Sequence, residues 1–145
     1  MKSDYAIALH ILGFLTACNG RPLSSDILAS TYGTNPVVVR RILSKLKKSG
    51  LVNIQRGAGG GSVLGRDPES INLRQIYESV SDTTEFLPRC NREESPASVV
   101  VTDFLNELYL SAEEALLAKL EALNIAEMDE KLRPRILELL AFRET

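Results

Sequence analysis

Asn35-Pro36-Val37-Val38-Val39-Arg40-Arg41-Ile42-Leu43-Ser44-Lys45-Leu46-Lys47-Lys48-Ser49-Gly50 reads as one complete helix with both of its ends specified. Asn at the cap offers a side-chain acceptor to a free backbone N–H, and Pro at the first helical position brings a preset φ. Ser49-Gly50 closes the helix. Lys45, Lys47 and Lys48 fill its last turns, where cations oppose the negative end of the helix dipole. At the helical period, Val39, Ile42, Leu43 and Leu46 share one side, while Arg40, Arg41, Ser44, Lys45, Lys47 and Lys48 share the other, with Val37 in the middle of the charged side. The apolar side can be buried. The outward side then carries two Arg, three Lys, a hydroxyl and no acid. That is the chemistry of major-groove reading: Arg donates bidentately to a guanine edge, Ser serves any edge, and an exposed Val meets a thymine methyl. Arg40, Arg41, Ser44 and Val37 are therefore the expected base readers, and Lys45, Lys47 and Lys48 the phosphate contacts that set position without reading sequence.

The segments on either side fit a helix-turn-helix. Residues 4–18 form the first predicted helix, with Ile7, Ile11, Phe14 and Leu15 at helical spacing and Leu9 and Leu12 widening the face. Asn19-Gly20 stops it and Arg21-Pro22 forbids continuation. Ser24 caps a second helix that runs to Tyr32, with Asp26 in its first turn and Gly33 free to take the left-handed terminal position. The free N–H groups at Ser24-Ser25 can hold a phosphate.

Downstream, Leu51-Val52-Asn53-Ile54-Gln55 and Ser62-Val63-Leu64 read as two short strands joined by the turn Gly57-Ala58-Gly59-Gly60-Gly61. The glycine run fits neither nucleotide template, because no Gly-Lys-Ser/Thr ends it and a strand, not a helix, follows. A tip without side chains, flanked by Arg56 and Arg66, suits close approach to a DNA backbone or minor groove; a merely flexible hairpin is the alternative. With Asn35 and Pro36 at the entry of the reader helix, the expected DNA-facing set is Ser24, Ser25, Asn35, Pro36, Val37, Arg40, Arg41, Ser44, Lys45, Lys47, Lys48, Arg56, Gly59 and Gly60.

The rest of the chain reads as a turn at Asp67-Pro68-Glu69-Ser70, a fourth helix over 71–80, a polar linker over 81–96, a long helix over 97–123 and a final helix over 129–142. The expected class is mainly α with a small β-hairpin wing: a winged helix-turn-helix over 1–80, a flexible linker over 81–96 and a helical dimerisation arm over 97–145. Two reader helices must sit about one DNA turn apart to read half-sites, which a two-fold dimer achieves. On the long helix, Val101, Phe104, Leu105, Leu108, Ala112, Leu116 and Leu120 are the expected dimer contacts, the alternative being a monomer with this helix in its own core.

Charge divides the 145-residue chain just after the second predicted strand. Residues 1–66 hold nine Lys/Arg and two acids, a net of +7, whereas residues 67–145 hold eight bases and seventeen acids, a net of −9. Such asymmetry matches a half that binds a polyanion and a half that stays off it.

Taken together, these residues resemble the winged-helix transcriptional repressors typified by IscR, NsrR and CymR. The shared features are the opening Asp4-Tyr5-Ala6 helix, the run Thr34-Asn35-Pro36-Val37-Val38-Val39-Arg40-Arg41, Leu46 followed by Gly50-Leu51-Val52, and the Arg56-Gly57…Gly60-Gly61 wing. The run from Thr34 to Arg41 is similar to the cluster-free, YwnA-like branch. The resemblance spans nearly the whole chain and is specific over 1–80. It implies a homodimeric, sequence-specific DNA-binding regulator, a repressor of a pseudo-palindromic operator, clasped by the long helix. A winged-helix protein-interaction module without DNA binding is the alternative.

The chain departs from that family in its cysteines. Iron–sulfur members carry three closely spaced cysteines in the linker after the fourth helix, and this chain has Cys90 there and Cys18 near the first helix. A cluster usually takes four thiolates, so none is expected. Cys90, beside Arg89 and Arg92, is instead a candidate redox thiol, or an incidental free cysteine. His10 is the sole histidine and is expected to be structural; with so few donors neither a zinc site nor a nucleophile–base–orienter set can be drawn, so no enzyme activity is expected. Two cysteines fit a reducing cytosol, and no stretch approaches the ~20 apolar residues that span a bilayer. Leu15-Thr16-Ala17-Cys18 resembles a lipoprotein cleavage box, but Asp4, His10 and Gly13 spoil the flanking pattern of an export signal, and a cytoplasmic chain is expected.

Overall fold

The computed structural model describes residues 3–82 and 95–143. Helix α1 (Ser3–Ala17) lies at the centre of the molecule. Tyr5, Ile7, Ala8, Ile11, Leu12 and Leu15 are all buried on it, so it is apolar around most of its circumference rather than along one stripe. Helices α2 (Ser25–Tyr32) and α3 (Pro36–Lys48) pack against it and against each other. Gly33 joins them at φ +81°, a left-handed geometry that favours glycine and closes the helix through its N–H to the Ala29 carbonyl.

Strands β1 (Val52–Gln55) and β2 (Gly61–Leu64) form an antiparallel hairpin in the register Val52↔Leu64, Asn53↔Val63, Ile54↔Ser62, Gln55↔Gly61. The hairpin is anchored upstream. Leu23 and Ser62 exchange both backbone hydrogen bonds, at 3.1 and 2.8 Å, which fixes the wing beside the start of α2.

A 3₁₀ turn (Pro68–Ser70) leads into α4 (Leu73–Val80). This helix begins two residues later than the apolar pattern suggests. Ile71 is extended and fully buried, and Asn72 builds a capping box with Gln75. The long helix α5 (Pro96–Glu121) packs on α4. The last helix, α6 (Ile125–Arg143), starts four residues before its expected position. Asn124 and Glu127 cap it reciprocally, through Asn124 N–H to Glu127 Oε2 at 3.0 Å and Glu127 N–H to Asn124 Oδ1 at 2.9 Å.

Helix α6 returns to α1. Ile125 is fully buried in the same core cluster as Ile11 and Leu12, its N–H donates to the Ile71 carbonyl, and Leu73 donates to the Leu123 carbonyl. The C-terminal segment is therefore joined to the core of the helix-turn-helix, not set apart from it. Between α1 and α6 runs an open apolar groove of about 570 Å³ lined by Leu9, Phe14, Tyr32, Met128, Leu132 and Leu137. Most of the expected linker, residues 83–94 with Cys90, lies outside the described residues.

Candidate nucleic-acid interface

The reader helix is built as its caps require. Asn35 Oδ1 accepts from Val37 N–H at 2.8 Å, and Pro36 occupies the first turn. Val39, Ile42, Leu43 and Leu46 are buried against α1 and α2, and Val37, Arg40, Arg41, Ser44, Lys47 and Lys48 are exposed. Val37 is 64% exposed on the outward side of the helix. At the start of α2, Ser24 Oγ accepts from Ile27 N–H at 3.2 Å, so its hydroxyl is used as a cap. Ser25 Oγ accepts from Arg40 Nε at 3.2 Å and so links α2 to the reader helix. At the wing, Arg56 and Gly59 are exposed; Gly59 sits at φ +72° with open space where a side chain would be, and Gly60 N–H closes the tip on the Gly57 carbonyl at 3.0 Å.

The tertiary structure corrects one expectation. The outward side of α3 carries no acid of its own, yet three acids reach it from elsewhere. Asp4 of α1 takes Arg41 in a bidentate pair, Nη1 to Oδ2 at 2.7 Å and Nη2 to Oδ1 at 2.9 Å. Asp82, just past α4, takes Lys45 Nζ at 2.8 Å, and the same ammonium donates to the Val80 carbonyl at 3.2 Å. Asp26 of α2 lies 3.9 Å from Arg40. The helix thus has two stripes. Arg41 and Lys45, one turn apart, are tied back to the body, while Val37, Ser44, Lys47 and Lys48 stand outside, and Arg40 lies between with its guanidinium largely exposed. No local signal announces this, since Asp4 and Arg41 are 37 positions apart, as are Lys45 and Asp82.

Helix α5 shows an apolar stripe facing solvent. Val101 is 58%, Phe104 62% and Leu108 52% exposed, with Ala112 and Leu116 also exposed and Leu105 half-buried. Leu120, expected in the same stripe, packs on the chain's own core instead, because α5 there already lies against α4. Glu113, on the same helix, is buried and engaged.

His10 Nε2 meets Thr31 Oγ1 at 3.1 Å, and its ring packs on Phe14 and Tyr32 at 4.6 and 4.9 Å. Burial lowers its pKa from the ordinary imidazole value, and the ring bridges α1 and α2. Cys18 is half-buried against the core. Among the described residues, no three His, Cys, Asp or Glu side chains come together as a metal would require, and no helix is long and apolar enough to cross a membrane.

Comparison with known proteins places the arrangement. The Rrf2 family model, described as an iron-dependent transcriptional regulator, matches residues 1–131. The HTH-type regulator YwnA of Bacillus subtilis is 32% identical over 123 residues, covering 80% of this chain and 86% of YwnA. The HTH-type transcriptional regulator IscR of Pectobacterium atrosepticum is 28% identical over 140 residues, covering 87% of this chain and 82% of IscR. Among solved structures, that of CymR, the global cysteine regulator of B. subtilis, superposes with a TM-score of 0.72 over 90% of this chain and 96% of CymR; at 23% identity the likeness speaks for the fold.

Proposed function

The chain belongs to the Rrf2 family of transcriptional regulators and is a DNA-binding winged-helix regulator, and from that premise we propose that it is a homodimeric repressor which reads a pseudo-palindromic operator with α3. The observation that carries this reading is the exposed stripe of α3, where Val37, Arg40 and Ser44 stand free of the core beside Lys47 and Lys48. Val37, Arg40 and Ser44 face base edges, and Arg41 works next to them from its pair with Asp4. Lys47, Lys48, Arg56 and the N–H groups at Ser24 and Ser25 meet phosphates, with Lys45 at the edge of the same track, and Gly59 and Gly60 let the wing approach the backbone closely. Asn35 and Pro36 position the first turn of the reader helix.

Residues 1–80 form the reading unit and residues 97–145 the arm docked on it. The stripe Val101, Phe104, Leu108, Ala112 and Leu116 on α5 is the dimer seam: a contiguous solvent-facing apolar row of this kind marks an association surface. A two-fold axis through it sets two copies of α3 on one duplex face.

The iron dependence in the family's description calls for a test of the donors present. This chain has two cysteines and one histidine, and Cys18 is half-buried against the core away from any second donor set among the described residues. They do not fit an iron–sulfur cluster of four thiolates. The protein acts by binding, in the cytoplasm, and answers a signal other than a resident cluster; Cys90 is the thiol to examine for redox response.

Selection of bound duplexes from a random pool, followed by titration of the winner and of a scrambled duplex at several salt concentrations, tests the reading. Enrichment of a two-fold symmetric site whose affinity falls with salt is expected. No enrichment over the input pool would overturn it.

A further inference from the structure

Asp4 and Arg41 pair where α1 meets α3. At the side chain Asp4 is 21% and Arg41 49% exposed, so solvent screens the pair and limits what its charge adds to stability. Nor does a carboxylate beside a phosphate-binding surface help by charge alone. It costs binding energy unless it does something for a neighbour.

What it does is visible in the geometry. Both oxygens of Asp4 are used, one on each terminal nitrogen of Arg41, at 2.9 and 2.7 Å. Such a fork locks the guanidinium plane and removes the rotamer freedom that a surface arginine would otherwise lose on meeting DNA. Two of the five guanidinium hydrogens are taken and three remain. Arg41 lies one turn after Val37 and three residues before Ser44, so on the helix surface it adjoins the exposed stripe. Arg40 has no comparable clamp: its contacts are one hydrogen bond to Ser25 and a 3.9 Å approach to Asp26.

We propose that Asp4, in the first turn of α1, is a positioning residue for DNA specificity: it holds Arg41 in a preset orientation against the duplex and thereby sets the preference for the operator over other sequences. The inference rests on the reading of α3 as the DNA-contacting helix. It places a determinant of specificity outside α2 and α3, on the helix that contributes the central core.

The two accounts of Asp4 differ in sign. If the residue were only a misplaced charge, Asp4→Asn would tighten binding to every duplex, because one repulsion is removed. If it positions Arg41, Asp4→Asn lowers the ratio of affinities for the selected duplex over a scrambled duplex by about tenfold, the discrimination of one well-made bidentate contact. Asp4→Glu retains a carboxylate and recovers part of that ratio. Arg41→Gln lowers it by a similar factor, and adding Asp4→Asn to Arg41→Gln lowers it no further. The measurement is competition binding of the full chain to the two duplexes, with melting temperatures to show that each variant is folded. Equal tightening of both duplexes by Asp4→Asn, with the ratio unchanged, overturns the proposal. So does an additive double variant, which remains informative if one single variant folds poorly. Failure of the wild-type protein to prefer any duplex would overturn the reading of α3 instead, a separate outcome.

Discussion

The hydroxyl of Tyr5 donates a 2.9 Å hydrogen bond to the backbone carbonyl of Leu73, across 68 positions of chain, with its ring edge-on to Tyr77 at 5.4 Å. This contact pins the N-terminal turn of α1 to the first turn of α4. A buried carbonyl that loses its donor retains its desolvation cost.

Tyr5→Phe is expected to cost about 1–2 kcal/mol, the penalty for an unpaired buried acceptor. Burial, with Tyr77 nearby, raises the Tyr5 pKa from 10.0 to about 12. The folded state therefore keeps a proton that the unfolded chain releases. This contribution is complete below pH 10 and is lost as pH rises toward 12. Denaturant titrations at pH 9 and 11.5 should show a steeper loss of stability for the wild type than for Tyr5→Phe. Parallel losses would refute the assignment.

Arg40→Ala should weaken binding to the selected duplex by ~1–3 kcal/mol and leave a scrambled duplex far less affected. Lys48→Ala should weaken both alike and reduce the slope of log affinity against log salt by about one unit. Gel-shift titrations over a salt series separate the two. Equal loss on both duplexes from Arg40→Ala would show that it is a phosphate contact.

Gly61→Ala and Gly59→Ala should differ although both lie in one glycine run. A Cβ at Gly61 would stand 2.6 Å from the Leu23 carbonyl carbon and oxygen, so the Leu23–Ser62 rung must open, at a cost of about 2 kcal/mol or more. At Gly59 there is open space, and only the left-handed φ of +72° is unfavourable, at about 1 kcal/mol. Urea midpoints give the comparison; similar midpoints for the two variants would contradict the anchored wing.

Phe104→Glu should turn a dimer into a folded monomer, because the ring is 62% exposed in the single chain and its loss leaves the core untouched. Sedimentation equilibrium would show the mass halve while helical content stays constant. A dimer that survives Phe104→Glu combined with Leu108→Glu would place the seam elsewhere.

The helix-turn-helix was readable from local chemistry. Ser24, Gly33, Asn35 and Pro36 mark ends that need no tertiary information, because each satisfies or withholds a backbone group within four residues of itself. The apolar side of α3 was equally plain from its period. Other elements were less so. Helix α6 carries Pro134 in its interior, which weakens its pattern, and its start depends on the Asn124–Glu127 exchange rather than on apolar spacing. Leu120 looks like a continuation of the exposed apolar stripe on a wheel, yet it packs on the chain's own core.

The sequence by itself determined that residue 37 and the cations after it face away from the core, because a helix with one apolar side must turn the other side outward. Only the tertiary structure decided which of those cations are free. A helical wheel gives an angle about one axis and knows nothing of neighbouring axes. Asp4 reaches Arg41 because α1 lies across α3, and Asp82 reaches Lys45 because α4 ends beside it. Charge acts through space at a few ångströms, and that separation does not exist until the core has closed.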